Sequence, residues 1–137
     1  MPKTQKQLTG NLGESLACQY LEKKGFRILG RNLHLSHNEL DIVAENGDYI
    51  VFVEVKTRTA SDRSADYGSA AKAVDTPKRR GTIRAAGAYL STYRGGKQPR
   101  MDVIEVYLSG SEKSFSTPTL LKINHIEGAF DARGRIR

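Results

Sequence analysis

Cysteine is almost absent from this chain: Cys18 stands alone among 137 residues, so no internal disulfide can form. Its neighbours Leu16, Ala17 and Leu21 follow a helical pattern, and a small core residue is the expected role, since a free thiol packs as a small hydrophobe. Histidine is equally sparse. His34, His37 and His125 are scattered, which with one cysteine excludes the usual structural zinc sites, and surface or loop positions are expected for all three. No apolar run approaches the length needed to span a bilayer. The opening segment MPKTQKQLTGNLGE lacks the apolar stretch of a signal peptide, so a cytoplasmic protein with no membrane partner is expected. Fixed-period repeats and low-complexity tracts are also missing, and the length suits one domain over residues 1–137.

Acidic residues fall short of basic ones, 15 against 22, giving a formal net charge of +7 and a pI near 9.7. An excess of that size favours an anionic partner, nucleic acid first, because phosphates present dense charge that Lys and Arg neutralise with counterion release. A basic surface serving only solubility, or one meeting an acidic protein, fits the same charge.

The first periodic segment runs from about Leu8 to Lys24. Leu12, Leu16, Ala17, Tyr20 and Leu21 share one arc of a helix, Glu14 lies at its edge, and Gly25 is placed to end it. Residues 26–33 read as a strand, and 34–38 as a polar connection. Two strong strand patterns follow at 39–45 and 49–57, joined by Asn46-Gly47, a strong hairpin signal. Residues 58–72 read as a loop of small and polar types. Thr76-Pro77 marks the start of a second helix reaching about Tyr93, with Ile83, Ala86, Leu90 and Tyr93 inward. Strands at 100–108 and 120–126 complete the order α-β-β-β-α-β-β. This is an α/β or α+β layer on a mixed central sheet flanked by helices, with a core over residues 8–126 and a basic tail at 127–137.

A two-residue turn at Asn46-Gly47 would pair Glu45 with Asp48 and set Asp41 opposite Phe52. Glu39, Asp41, Val43, Ile50, Phe52, Glu54 and Lys56 then share one face. Asp41 and Glu54 become diagonal neighbours about 7–8 Å apart, close enough to converge on one cation. A four-residue loop keeps both acids on one face, whereas an odd-length loop separates them. The strand from Tyr49 to Lys56 is apolar on both sides, the pattern of a central buried strand. A carboxylate there costs several kcal/mol unless it is paired or bound to metal. An exposed Glu54–Lys56 ion pair at an emerging strand end is the bland alternative, and the diagonal Asp41 argues against it.

Hard oxygen ligands suit Mg²⁺ or Mn²⁺, with Asp41 and Glu54 as ligands and the Val55 carbonyl as a third. Such an ion polarises a phosphodiester and activates water. Lys56, one pleat further on the same face, is placed to orient water or to stabilise the charge that develops on phosphorus oxygens. Lys78, Arg79, Arg80 and Arg84 crowd a helix start, where the helix dipole disfavours cations, and phosphate contact explains them better than a solvated face. Asp102 has two readings, a fifth acid at the site or simple alternation on an edge strand.

The strings G-N-L-G-E at 10–14, N-E-L-D-I-V at 38–43 and V-F-V-E-V-K-T-R at 51–58 resemble the YraN-like family of bacterial proteins. The likeness continues through Ala73-Val74, Lys78 to Arg80, Ala88 to Leu90 and Arg100 to Val103, and spans residues 8–126. Asn38-Glu39 departs from the family's usual Gly-Glu, and Tyr67-Gly68-Ser69-Ala70 from its Phe-Gly-x-Pro. The resemblance implies a restriction-endonuclease-like core of the PD-(D/E)xK superfamily, similar to archaeal Holliday-junction resolvases. It places Glu14, Asp41, Glu54 and Lys56 at the four active-site positions, and it implies a homodimer, since such resolvases act as symmetric pairs. The expected function is a Mg²⁺- or Mn²⁺-dependent endonuclease acting on DNA, branched or structured DNA included. The alternatives are a non-catalytic nucleic-acid-binding module on the same fold and a scaffold for an acidic protein partner.

Overall fold

The computed structural model of the chain describes residues 5–59, 76–109 and 118–131. Their elements are α1 (Gln5–Lys23), β1 (Arg27–Leu35), β2 (Asn38–Glu45), β3 (Tyr49–Thr59), α2 (Thr76–Leu90), β4 (Gln98–Leu108) and β5 (Leu120–Phe130). The order is the expected α-β-β-β-α-β-β, in a mixed α+β arrangement. The loop expected at 58–72 and the altered family motif at 67–70 lie almost wholly outside the described residues.

Helix α1 ends as its sequence dictates. Gly25 adopts φ +93°, a conformation open to glycine without steric penalty. Its N–H donates to Glu22 O at 3.0 Å, and the Phe26 N–H donates to Leu21 O at 2.9 Å. These two bonds satisfy carbonyls the helix end would leave bare, and Phe26 packs in the same core cluster as Leu21.

The five strands lie in the spatial order β1-β2-β3-β4-β5. Only β3 and β4 run parallel, linked by the α2 crossover, and the other neighbours are antiparallel. Side-chain alternation divides the core in two. Under α1, Ala17, Cys18 and Leu21 meet Ile42, Ala44, Val51, Val53, Ile104 and Val106. Under α2, Ala85 and Ala86 meet Val43, Ile50, Phe52, Met101 and Val103. β3 is therefore covered on both faces, as its unbroken apolar run requires.

Several boundaries differ from the sequence pattern. β1 and β2 meet in a tight turn at Ser36-His37, both at positive φ (52° and 62°), where a longer polar connection was expected. β5 continues past 126, burying Ala129 and Phe130, so the core reaches into the segment expected to be tail. α2 stops at Leu90, short of Tyr93. Among the described residues no helix is long and apolar enough to cross a membrane.

Candidate active site

The β2–β3 turn is longer than a two-residue turn. Asn46 Oδ1 accepts from the N–H groups of Asp48 (2.9 Å) and Tyr49 (2.7 Å), and the Asn46 N–H donates to Tyr49 O. This side-chain cap moves the register by two residues, so Glu45 pairs with Ile50 and Val43 with Phe52. An even shift preserves the faces within the paired ladder, from Ile42–Val53 to Glu45–Ile50. Asp41 and Glu54 follow directly on its last pair, Ile42–Val53, instead of lying on a diagonal within it.

The β2–β3 ladder ends at Ile42–Val53, while β1–β2 pairing continues to Leu35–Asn38. The hairpin turns over at this point. Asn32 takes φ +50° between the Arg31–Ile42 and Leu33–Leu40 pairs, and Ile42 packs under α1 while Leu40 joins the α2 side. Asp41 lies between them and leans toward β3, where its Oδ2 accepts the Val55 N–H at 2.9 Å. A carboxylate thus takes the place of the next ladder bond. In a strand the N–H and C=O of one residue point to the same edge, so the Val55 carbonyl faces this opening too.

Glu54 is 2% exposed and its Oε1 is paired with Lys78 Nζ, which reaches in from the first turn of α2. Asp41 is raised from 3.8 to about 7, first by burial and then by repulsion from Glu54; the Val55 bond and Lys78 offset only part of this. Lys56 is held below its ordinary value by burial and by the Lys78 charge. Burial lowers Lys78, but its bond to Glu54 and the charges of Glu54, Asp41 and Glu39 together outweigh this and raise it.

Glu14 arrives from the α1 side. A Cβ on Gly13 would collide with Thr57 Oγ1, so only glycine lets α1 approach β3 this closely and bring Glu14 beside the strand end. Burial, then the Asp41 charge, raises Glu14. Its Oε2 is buried without a hydrogen-bond partner among the described residues, with Arg31 Nη2 at 3.9 Å.

The structure therefore gathers Asp41, Glu54, Val55 and Lys56 where β2 parts from β3, with Glu14 flanking them. Among the described residues, no three His, Cys, Asp or Glu side chains are grouped closely enough to hold an ion by themselves. Two carboxylates, one main-chain carbonyl and waters would have to suffice, a set that fits Mg²⁺, which keeps several waters and takes few protein ligands.

The four bases do not form one exposed face. Arg80 and Arg84 are exposed, Arg79 is 9% exposed, and Lys78 belongs to the carboxylates. Sequence reading missed Lys78 as a partner of Glu54, because no pattern reports which way a helix start faces. It also missed Glu105, which is 1% exposed, sits beside Lys56 in the parallel ladder and accepts from Asn124 Nδ2 at 3.0 Å.

Asp102 lies elsewhere. β4 is an inner strand, and by alternation Asp102 is directed away from the α2 face, opposite to Glu54. It accepts from Arg100 Nε (2.8 Å) and Nη2 (2.9 Å) and from the Gly128 N–H (3.0 Å), and His125 Nε2 stands at 2.7 Å. Burial would raise Asp102, but bonds from His125, Arg100 and Gly128 outweigh it and hold the carboxyl below the usual range. His125, expected at the surface, is buried in this network and meets the Tyr20 hydroxyl at 3.0 Å.

The model of the Uncharacterised protein family UPF0102 matches residues 13–106, a span that includes every candidate site residue from Glu14 to Arg84. A UPF0102 protein of Caldanaerobacter subterraneus subsp. tengcongensis is 41% identical over 131 residues, covering 95% of this chain and 100% of the relative. One from Syntrophomonas wolfei is 46% identical over 123 residues, covering 88% and 96%. Another, from Syntrophotalea carbinolica, is 40% identical, covering 91% and 93%. A family match over most of the chain and relatives spanned almost end to end place it plainly: the chain belongs to the UPF0102 family.

Proposed function

We propose that this protein is a metal-dependent endonuclease that hydrolyses phosphodiester bonds in DNA, with Asp41, Glu54, Val55, Lys56 and Glu14 forming its site. One observation carries the reading: the Asp41 and Glu54 carboxylates are held together in a buried opening, where burial first and their mutual repulsion second raise Asp41 to about 7. A site serving stability alone gains nothing from that conflict, whereas a divalent cation resolves it.

Asp41, Glu54 and the Val55 carbonyl would hold Mg²⁺ or Mn²⁺. When bound, such an ion supplies Lewis-acid polarisation of the phosphodiester and neutralises charge on the leaving oxygen. The protein's own groups do the rest. Lys56 projects beside Glu54 and donates hydrogen bonds to phosphoryl oxygens as their charge grows. Its lowered pKa leaves it readier to give up a proton than a surface lysine. Glu14, with an unsatisfied buried oxygen, accepts a hydrogen bond from water at the edge of the opening. The +7 charge and the exposed Arg80 and Arg84, on the helix that delivers Lys78, supply a track for phosphates. The resemblance to the YraN-like family, which implies a restriction-endonuclease-like core similar to Holliday-junction resolvases, supports the same reading and favours branched or structured DNA.

A second reading, DNA binding without turnover, draws on the Lys78–Glu54 pair, because an internal cation already neutralises one carboxylate. Cleavage assays with Mg²⁺ and Mn²⁺ on duplex, single-stranded, flap and four-way DNA separate the two. Metal-dependent cutting that Glu54→Ala abolishes supports the enzyme. Binding without cutting of any substrate supports the module.

A further inference from the structure

Lys78 is placed unlike any other base among the described residues. It sits in the first turn of α2, where the helix dipole disfavours a cation, yet its ammonium pairs with the 2%-exposed Glu54. Its charge also acts on Asp41 and Lys56, so it stands among all three groups. Glu39 and Glu14 also act on this opening besides Asp41 and Glu54, and Arg58 adds to the two ammonium groups. A divalent cation held by Glu54 needs the same carboxylate that the Lys78 ammonium occupies, and two cations in contact with one carboxylate repel each other. Lys56 is fixed on a strand covered on both faces. Lys78 is 49% exposed and rises from a helix end at the surface, so its long side chain has a path outward.

We propose that Lys78 is a resident counter-ion of the Asp41–Glu54 pair, which a divalent cation displaces, so that the Lys78–Glu54 ion pair and the metal are mutually exclusive. This rests on the metal-dependent reading above and adds to it a built-in competitor. The metal-free protein keeps its carboxylates partly compensated, and metal affinity is set lower than the carboxylates alone would give. Once displaced, the ammonium lies at the mouth of the opening, beside the path an incoming phosphate must take.

Two measurements on the full chain test this. The first is calorimetric Mn²⁺ titration of the unaltered protein, Lys78→Met and Asp41→Asn, each also melted with and without Mn²⁺. Lys78→Met is expected to bind Mn²⁺ at least about tenfold more tightly. It should melt lower than the unaltered protein without metal and gain more on adding it. The second is amine acetylation of the unaltered protein under single-hit conditions, read by mass spectrometry, which requires no variant to fold. Lys78 should become more reactive when Mn²⁺ is added. Unchanged or weaker Mn²⁺ binding by Lys78→Met, or greater protection of Lys78 with Mn²⁺, would overturn the proposal while leaving the metal site standing. No Mn²⁺ binding by the unaltered protein or Lys78→Met would overturn the proposal and the metal-dependent reading together. Binding that Asp41→Asn leaves intact would do the same for the assigned ligands.

Discussion

The Asp41 carboxylate accepts the Val55 N–H at 2.9 Å, in the position where the β2–β3 ladder would otherwise supply its next bond. One side chain therefore both ends the pairing and keeps the gap from leaving an orphaned donor. The same bond holds Asp41 beside Glu54, at the strand edge to which the Val55 carbonyl also points. Asp41→Asn keeps an acceptor for Val55 and removes the repulsion from Glu54. Thermal denaturation without metal at pH 8 should show it as stable as the native chain or more so. Asp41→Ala leaves the Val55 N–H bare and should cost about 1–3 kcal/mol.

The pH dependence follows from the sign of the Asp41 shift. Its folded pKa, about 7, lies above its ordinary 3.8, so between those values the folded chain holds a proton that the unfolded chain has lost. Stability from this group is complete below about pH 4 and is lost as pH rises through 7. Glu14, also raised, acts in the same direction. Chemical denaturation without metal from pH 5 to 8 should show a decline that Asp41→Asn reduces. Metal binding at pH 6 should release close to one proton, read as a dependence of the calorimetric heat on buffer ionisation enthalpy.

The outer bases should differ from one another. Replacing exposed Arg80 and Arg84 with Ala should weaken DNA binding about equally for all sequences. The log–log salt slope should flatten by about 0.9 on duplex DNA for each phosphate that a removed base had neutralised. Arg79, at 9% exposure, should behave as a packed residue. Its replacement by Ala should lower the melting temperature before it changes the salt slope.

Asp102 tests the separation of the two polar clusters. Replacing it with Ala strips Arg100, His125 and the Gly128 N–H of a common acceptor, and breaking a buried pair of this kind costs about 3–5 kcal/mol. Urea denaturation should show that loss, and Mn²⁺ affinity of the folded fraction should stay unchanged. A selective loss of Mn²⁺ affinity at full stability would place Asp102 in the metal site.

Much of this was legible in the sequence because it rests on local signals. The apolar run of β3, the alternation around Asp41 and Glu54, Gly25 ending α1 and Thr76-Pro77 starting α2 all act through near neighbours. The exact register did not, since Asn46 accepting two N–H groups and Asn46-Gly47 forming a two-residue turn start from the same letters. Asp41 and Glu54 still meet, because Asp41 turns out of the strand alternation and its carboxylate reaches the β3 edge at Val55. The Ser36-His37 turn escaped because a two-residue hairpin loop needs positive φ at both positions, which glycine and asparagine favour and serine and histidine do not signal. Lys78, Glu105 and the burial of His125 depend on which strands and helices meet across long stretches of chain, and no single-sequence pattern carries that information.

The proposed role of Asp41 and Glu54 in metal-dependent cleavage of DNA has one most direct measurement. It compares the native chain with Glu54→Gln on duplex, single-stranded, flap and four-way DNA, in Mg²⁺, in Mn²⁺ and in chelator, with folding of both proteins checked by thermal denaturation. Cutting of at least one substrate should require metal and fall by about 10²–10³-fold in the folded Glu54→Gln protein, the scale of losing one transition-state-stabilising group. Cutting that persists in chelator, equal cutting by Glu54→Gln, or no cutting of any of the four substrates would contradict that role.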